Sequence, residues 1–385
     1  MVNTNLVKGF QDITGEEARK REIIIEIIRN QFKLYGFDPA ETPIIEYEEF
    51  AKGENPNDDA VRDIFKLQDR GKRKLGLRYE FTFQLKRLAK NQKLPFKVYQ
   101  IGNLFRDEPI REGRTREFIQ CDADTIGSNV KDEAESLSLA KGIFKELNIP
   151  IKIYFNNRKL INEILEKEKI PEKNRNQVIR EIDKLDKLSK KEVADNLKKL
   201  GAERLVKIFD QSEKSFEKYA YYREIKELKK TCKNYGVMLE FKPSLARGLS
   251  YYNGSIFEIW SKELNASLCG GGSYLVDKVQ ATGISFGLEP ISLLTKIPGE
   301  TTRVCIISID KENEAIALAK ELRDKKISTT LILDKSIGKA LEYVNSKGIG
   351  KVIFVGKEEV KKKKFKVKDM DSGKEEFLSM EKLVF

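Results

Sequence analysis

The sequence contains no histidine in 385 residues. That absence excludes Ser-His and Cys-His triads, histidine general bases and imidazole metal ligands. Chemistry is left to carboxylates, arginines, lysines, hydroxyls and bound ions. Cysteine is scarce too. Cys121, Cys232, Cys269 and Cys305 lie far apart and form no C-x-x-C pair, which argues against a zinc site or a disulfide framework and for a reducing, cytoplasmic home. No apolar run reaches membrane-spanning length, and the opening stretch MVNTNLVKGFQDITGEE is too polar for a signal peptide, so no membrane association is expected. Without imidazole, few groups are expected to titrate between pH 6 and 8 apart from the N-terminus and any perturbed cysteine.

What the chain has is charge. Charged residues make up 35% and the net charge is +12, which suits a polyanionic partner; a lysine bias serving solubility is the plain alternative. Hydrophobic residues, at 40%, suffice for real cores, and the length implies two or three domains.

Periodicity divides the chain. Glu16 to Tyr35 reads as a helix with Ile23, Ile24, Ile27, Ile28 and Phe32 on one face; Gly36 stops it, and Pro43 opens an extended segment, PIIEYEEF. KLGLRYEFTFQLKRLAKN reads as a short strand turning into an amphipathic helix. FKVYQIGNLFRDE and REFIQCDADTIG read as two strands joined by a charged loop, followed by a helix from about Asp132 to Leu147 and the strand IKIYFNN. From about Arg158 to Tyr235 the pattern is helical and heavily charged, an all-α insertion. Strands then resume with VMLEFKP, NGSIFEIW, CGGGSYLVDKV and TGISFGLEPISLL. The core is therefore antiparallel strands interleaved with helices, not a βαβ ladder. After KIPGETT, alternating strands and helices give a small α/β domain with a mostly parallel sheet. Residues 301–385 hold 19 Lys/Arg against 14 Asp/Glu, a net of +5, partly in the run KKKKFKVKD. A solvated basic face is the plain reading of that run.

Two stretches carry chemistry. LFRDEPIREGRTREFIQCDAD places Arg106, Glu108, Arg114, Arg116 and Phe118 around one loop. Guanidiniums hold phosphate oxygens bidentately, a carboxylate accepts from an adenine amino group, and an aromatic ring stacks on a base, so the set suits a nucleoside triphosphate. Alone, it could equally be a basic surface loop. SLARGLSYYNGSIFEIW places Arg247, Tyr251 and Tyr252 just before a strand. On the plain reading, Arg247 caps a loop and the tyrosines straddle the strand, one in the core and one out.

In order along nearly the whole chain, these segments resemble the class II aminoacyl-tRNA synthetases, and within them the histidyl-tRNA synthetase family. The helix from Glu16 and the Pro43 segment are similar to motif 1, Arg106-x-Glu108 with Gly113-Arg114-x-Arg116-x-Phe118 to motif 2, and GISFGLEPI to motif 3. SLARGLSYYNGSIFEIW and CGGGSY resemble the two histidine-specific signatures, LRYEFT a further substrate segment, and the last domain an anticodon-binding domain. The resemblance implies an α+β class II core with an antiparallel sheet and helices (1–155 and 237–298), a helical insertion (156–236) and an α/β anticodon-binding domain (302–385). It implies a homodimer that uses ATP with Mg²⁺, L-histidine and tRNA-His, with no protein-only metal site. By the same resemblance, Arg247 reaches the α-phosphate from the side opposite Arg106. Glu108, Arg114, Phe118 and Glu289 serve ATP. Glu80, Thr82, Arg114, Gln120 and Asp124 hold the amino acid's amino group, carboxylate and imidazole, and Tyr251 and Tyr252 wall the side-chain pocket together with Arg247.

Two departures stand out. The family's arginine after the acidic residue of motif 3 is Pro290 here, and Ser273 and Leu275 replace the Arg and Asp that often follow the glycines. Proline packs against a base but cannot bind phosphate. Either another cation (Arg111, Lys278 or Lys296) takes over, or the chain is a non-catalytic, histidine-sensing paralogue regulating histidine biosynthesis. The retained Arg106 and Arg247 and the complete last domain favour the enzyme, histidine–tRNA ligase, and a plain RNA-binding protein would not explain the ordered pocket residues.

Overall fold

Ile24, Ile28 and Phe32, four residues apart, are fully buried along one face of the helix Gly15–Leu34 in the computed structural model of the chain. Each such side chain contributes about 1.5–3 kcal/mol by leaving water. The helix stops where Gly36 enters the left-handed region and Phe37 N–H closes back on Phe32 C=O. The structure describes residues 2–53, 62–110, 115–186, 188–247, 251–264, 266–296 and 303–383. They fall into two compact units, residues 1–12 with 21–296 and residues 13–20 with 297–385.

The described strands, in chain order, are β1 (Asp38–Pro39), β2 (Ile45–Tyr47), β3 (Lys66–Gln68), β4 (Lys74–Leu77), β5 (Phe96–Phe105), β6 (Glu117–Ile126), β7 (Lys152–Asn157), β8 (Glu240–Phe241), β9 (Ser255–Trp260), β10 (Ser267–Val276), β11 (Val279–Gly287), β12 (Arg303–Ser308), β13 (Ser328–Ile332), β14 (Lys351–Val355), β15 (Lys364–Asp369) and β16 (Glu375–Ser379). The first unit is built on an eight-stranded sheet in the order β1-β5-β6-β11-β10-β9-β7-β8, antiparallel except for the β1–β5 and β7–β8 pairs. A small sheet, β2-β4-β3, belongs to the same unit.

Opposed residues in an antiparallel ladder share a face. The register therefore lines up Gln100, Asp122, Ser285, Gly270 and Glu258 in one row across β5, β6, β11, β10 and β9. The adjacent row on that face holds Asp124, Gly283 and Gly272. The other face carries Cys121, Phe286, Cys269 and Ile259, all buried. Two helices cover it: Phe32 of Gly15–Leu34 and Phe144 of Val130–Glu146 each lie 5.9 Å from the Phe286 ring. One face of the sheet is thus core, and the polar row is left to the opposite face. Val130–Glu146 starts two residues before the position its apolar pattern predicts, because Asn129 and Asp132 form a capping box.

LRYEFT departs from the strand-to-helix expectation. The strand ends at Leu77, residues 78–84 are loop, and the helix Leu85–Leu88 is one turn. Arg78 holds that loop to β5 by donating to Asn103 C=O at 2.8 Å and to Thr42 C=O at 2.7 Å. Between Asn157 and Glu240 the described residues form helices only: Arg158–Lys167, Glu172–Ile182, Lys190–Lys198, Leu205–Phe209 and Tyr222–Asn234, with short 3-10 turns. In the second unit the sheet order is β13-β12-β14-β15-β16. The first three strands are parallel, and the inner two, β12 and β14, are buried on both faces while β13 forms a half-exposed edge. Val304 and Ile306 pack with Leu318 and Leu322 of helix Glu312–Asp324, and Cys305 and Ile307 with Ala340 and Val344 of helix Ile337–Ser346. KKKKFKVKD is not merely a solvated run: it ends the short helix Lys357–Lys362 and forms β15, antiparallel to β14 and β16, with Val367 in the core.

Candidate active site

Gln120, Asp122 and Asp124 alternate along β6, so all three project from the polar face. Asp122 and Asp124 are each only 5% exposed. Their hydrogen-bond donors are neutral. Gln120 Nε2 reaches both Asp122 oxygens at 2.9 Å, the Ser285 hydroxyl reaches Asp122 at 2.5 Å, and the Tyr274 hydroxyl donates to Asp124. Burial pushes Asp122 up to about 6, against the donors and the Arg106 and Arg247 charges that favour its ionised form. Burial, then the neighbouring Asp122, raises Asp124 well above the carboxylate range. Gly283 is opposite Asp124 because a β-carbon there would collide with the carboxylate.

The 78–84 loop brings Glu80, 4% exposed, to the same place. Tyr251 donates to Glu80 at 3.3 Å and lies 3.5 Å from the Thr82 hydroxyl. Its ring is 4.8 Å from Tyr252 and 5.5 Å from Tyr274. Burial raises all three phenols, so they stay protonated, and Tyr251 and Tyr274 donate to the carboxylates. The two adjacent tyrosines therefore do not straddle a strand. They precede β9 and, with Tyr274, form an aromatic wall beside buried carboxylates.

Arg247 lies over the glycine of the central row. A β-carbon on Gly270 would overlap its Nη1, and that same nitrogen donates to Glu258 at 2.9 Å. The other Glu258 oxygen accepts from Trp260 Nε1 at 3.0 Å. Burial opposes the Arg247 charge, but the Glu258 carboxylate paired with it favours that charge, and the guanidinium stays protonated. Its Nε is buried with no hydrogen-bond partner among the described residues. An orphaned guanidinium donor at the edge of a pocket fits an incoming phosphate oxygen.

Arg106 closes the other end. It follows β5, and its guanidinium lies 4.4 Å from the Tyr79 ring centroid and 4.9 Å from that of Phe118, with one long bond of 3.4 Å from Nε to Tyr79 C=O. Among the described residues it has no salt bridge. Glu108, half-buried, accepts from Arg116 Nε through its main-chain carbonyl at 3.4 Å. Arg111 and Arg114 lie outside the described residues.

Glu289 is set apart from this group. Its Oε1 accepts from Arg21 at 3.2 Å and from Ile119 N–H at 3.1 Å, an arrangement that ties helix Leu288–Leu294 to β6 and to the first helix. Of the cations considered in place of the motif 3 arginine, Lys278 is in the turn before β11. The nine residues of that strand, about 30 Å at the usual rise, separate it from Gly287. Lys296 is exposed just beyond helix Leu288–Leu294. Ser273 faces away from the pocket, donating to Glu133 on the helix side of the sheet, so its departure from the family pattern leaves the polar face unchanged.

A family model described as histidyl-tRNA synthetase matches residues 9–291. The chain belongs to the histidyl-tRNA synthetase family. A second model, described as an anticodon binding domain, matches residues 303–384 of this family member. The chain is 33% identical to histidine–tRNA ligase 1 of Bacillus cereus, covering 96% of this chain and 94% of that one. It is 32% identical to the histidine–tRNA ligase of Methanococcus aeolicus, over 98% and 99%. The fold is shared with the crystal structure of histidyl-tRNA synthetase from Nostoc sp., with a TM-score of 0.85 at 23% identity over 98% and 97% of the two chains. It is shared also with a Bacillus halodurans structure described as an ATP phosphoribosyltransferase regulatory subunit/histidyl-tRNA synthetase, with a TM-score of 0.78 at 21% identity over 92% and 98%.

Four residues of this polar cluster escaped the sequence reading: Asp122, Ser285, Glu258 and Tyr274. The first had a visible signal, since QCDAD places it between two chosen residues at the strand period. The others become neighbours only through register.

Proposed function

We propose that the chain is an active histidine–tRNA ligase, which joins histidine to the α-phosphorus of ATP and then passes the histidyl group to tRNA-His. The observation that carries this reading is one sheet face that joins a pocket of buried carboxylates to two arginines, Arg247 with an Nε that has no partner among the described residues and Arg106 stacked on Phe118. A cationic amino acid suits Glu80, Asp122 and Asp124, because its charge restores what burial withholds from them. Glu80, Thr82, Gln120 and Asp124 take the ammonium and imidazole, Tyr251 and Tyr252 wall the ring, and Arg114 serves the carboxylate. Glu108 and Phe118 serve the nucleotide, and Glu289 supports that end of the site by holding helix Leu288–Leu294 to β6.

The reaction needs no strong base, because the attacking carboxylate is already ionised at pH 7. An O–P bond forms to the α-phosphorus, the α–β bridging P–O bond breaks, and its electron pair leaves with diphosphate. Arg106 and Arg247 hold the α-phosphate from opposite sides, where charge builds up in the transition state. Mg²⁺ enters with ATP as part of that substrate and offsets its phosphate charge. Residues 302–385 read the anticodon, residues 156–236 approach the acceptor stem, and the protein works in the cytoplasm as a homodimer paired through residues 16–50. Sedimentation as a monomer near 44.3 kDa would contradict the pairing.

Histidine-dependent exchange of pyrophosphate into ATP, without tRNA, tests the activity. Exchange, followed by charging of tRNA-His, is expected. Pro290 favours one other reading, a histidine sensor, which would bind histidine and exchange nothing.

A further inference from the structure

Arg247 has φ of +58°, a left-handed backbone that a residue with a side chain adopts only when its surroundings impose it. Three side chains impose it. Asn156 donates to Pro243 C=O at 2.7 Å and to Leu245 C=O at 2.9 Å. Arg158 donates to Ala246 C=O at 2.9 Å. Asp183 accepts, through a single oxygen, from Arg247 N–H at 2.8 Å and Ala246 N–H at 3.1 Å.

Asp183 comes from the helical insertion. It is the residue that ends helix Glu172–Ile182, whose Val178, Ile179 and Ile182 are buried. An acidic side chain at a helix C-terminus opposes the helix dipole, which favours a cation there. At the junction of that helix with the 3-10 turn Asp183–Asp186, its carboxylate serves a loop 64 residues away in sequence.

We propose that Asp183 is a positioning residue for adenylate formation: the insertion aims Arg247 at the α-phosphate through this one carboxylate. The inference rests on the reading of Arg247 given above. It makes the insertion part of the amino acid activation machinery before any tRNA arrives.

The test uses the full chain and pyrophosphate exchange. Asp183→Ala is expected to lower kcat by about 10- to 100-fold, the scale of a displaced catalytic group, with the histidine KM within about twofold of wild type. Asp183→Asn keeps an oxygen for the two N–H groups and is expected to recover most of that loss. In an Arg247→Ala background, Asp183→Ala is expected to cost nothing further, because its effect passes through the missing guanidinium. A general folding defect would add to the Arg247→Ala loss instead, and that result overturns the proposal, as does an unchanged kcat in Asp183→Ala. Absence of exchange in the wild-type chain would overturn the functional reading itself, and this inference with it.

Discussion

The Arg247 guanidinium occupies the space that a side chain on Gly270 would need. The contact is fixed from below by the β10 backbone and from the side by Glu258, so the guanidinium cannot give way without losing its ion pair. Gly270→Ala is therefore expected to lower the kcat of pyrophosphate exchange by about 10²–10³, as much as Arg247→Ala, since either change removes a preorganised donor at the developing charge. Histidine binding, measured by calorimetry, should change little in both. A Gly270→Ala enzyme with wild-type kcat would show that the guanidinium works from another position.

Asp124 faces the pocket with one donor, the Tyr274 hydroxyl, and with Gly283 leaving it room. Asp124→Asn keeps the shape and removes the charge. Loss of one hydrogen bond between charged partners is worth about 1.5–3 kcal/mol, so the histidine KM should rise about 10- to 100-fold while kcat falls much less. An unchanged KM would place the ligand's cation elsewhere, with Glu80 as the next carboxylate to substitute.

How much of this was legible in advance follows from the reach of each signal. Helix Gly15–Leu34 and the β5–β6 pair were readable because a 3.6 or 2.0 period is local. The β15–β16 hairpin was not, because lysines on one face of β15 mask the Phe365 and Val367 alternation on the other. In the site, Gln120 and Asp124 came from motif resemblance. Glu258 and Ser285 had no local signature, since they matter only as neighbours of Gly270 in the register. Asp183 is farther still from legibility: nothing near DKLD in the sequence points to Arg247.

Lys364, Lys366 and Lys368 alternate with the core-facing Phe365 and Val367, and so form a basic row on the opposite face of β15. Lys366 is held by Glu375 at 2.6 Å. If this unit contacts tRNA through that row, Lys364→Ala and Lys368→Ala should each weaken tRNA binding and reduce the slope of log K against log salt by roughly 0.7–0.9, one phosphate contact apiece. Pyrophosphate exchange should stay at the wild-type level. Filter binding across a salt series decides it, and an unchanged slope would move the RNA contact off this face.

Few groups were expected to titrate near neutrality apart from the N-terminus and any perturbed cysteine, and the structure adds one buried carboxyl to them. Burial pushes all four thiols up, Cys305 to about 11 and Cys232 to about 12, so none is a thiolate at pH 7. A carboxylate takes their place, Asp122, at about 6 against a usual 3.8. The sign follows from linkage. A folded-state pKa raised on an acid means that the fold disfavours the anion. The penalty is absent below about pH 4, grows between 4 and 6, and is complete above 6. A rise of that size corresponds to about 3 kcal/mol. Asp122→Asn should therefore unfold at a higher temperature than wild type at pH 7.5, with the gap closing towards pH 4. Function should move the opposite way. A bound cation favours the Asp122 anion, so wild-type kcat/KM for histidine should fall as pH drops through 6, and Asp122→Asn should be weaker throughout and lose that limb. The ionisation of the substrate's own imidazole is common to both proteins and cancels in their ratio. A wild-type to Asp122→Asn ratio that stays flat from pH 5 to 8 would remove Asp122 from the histidine site.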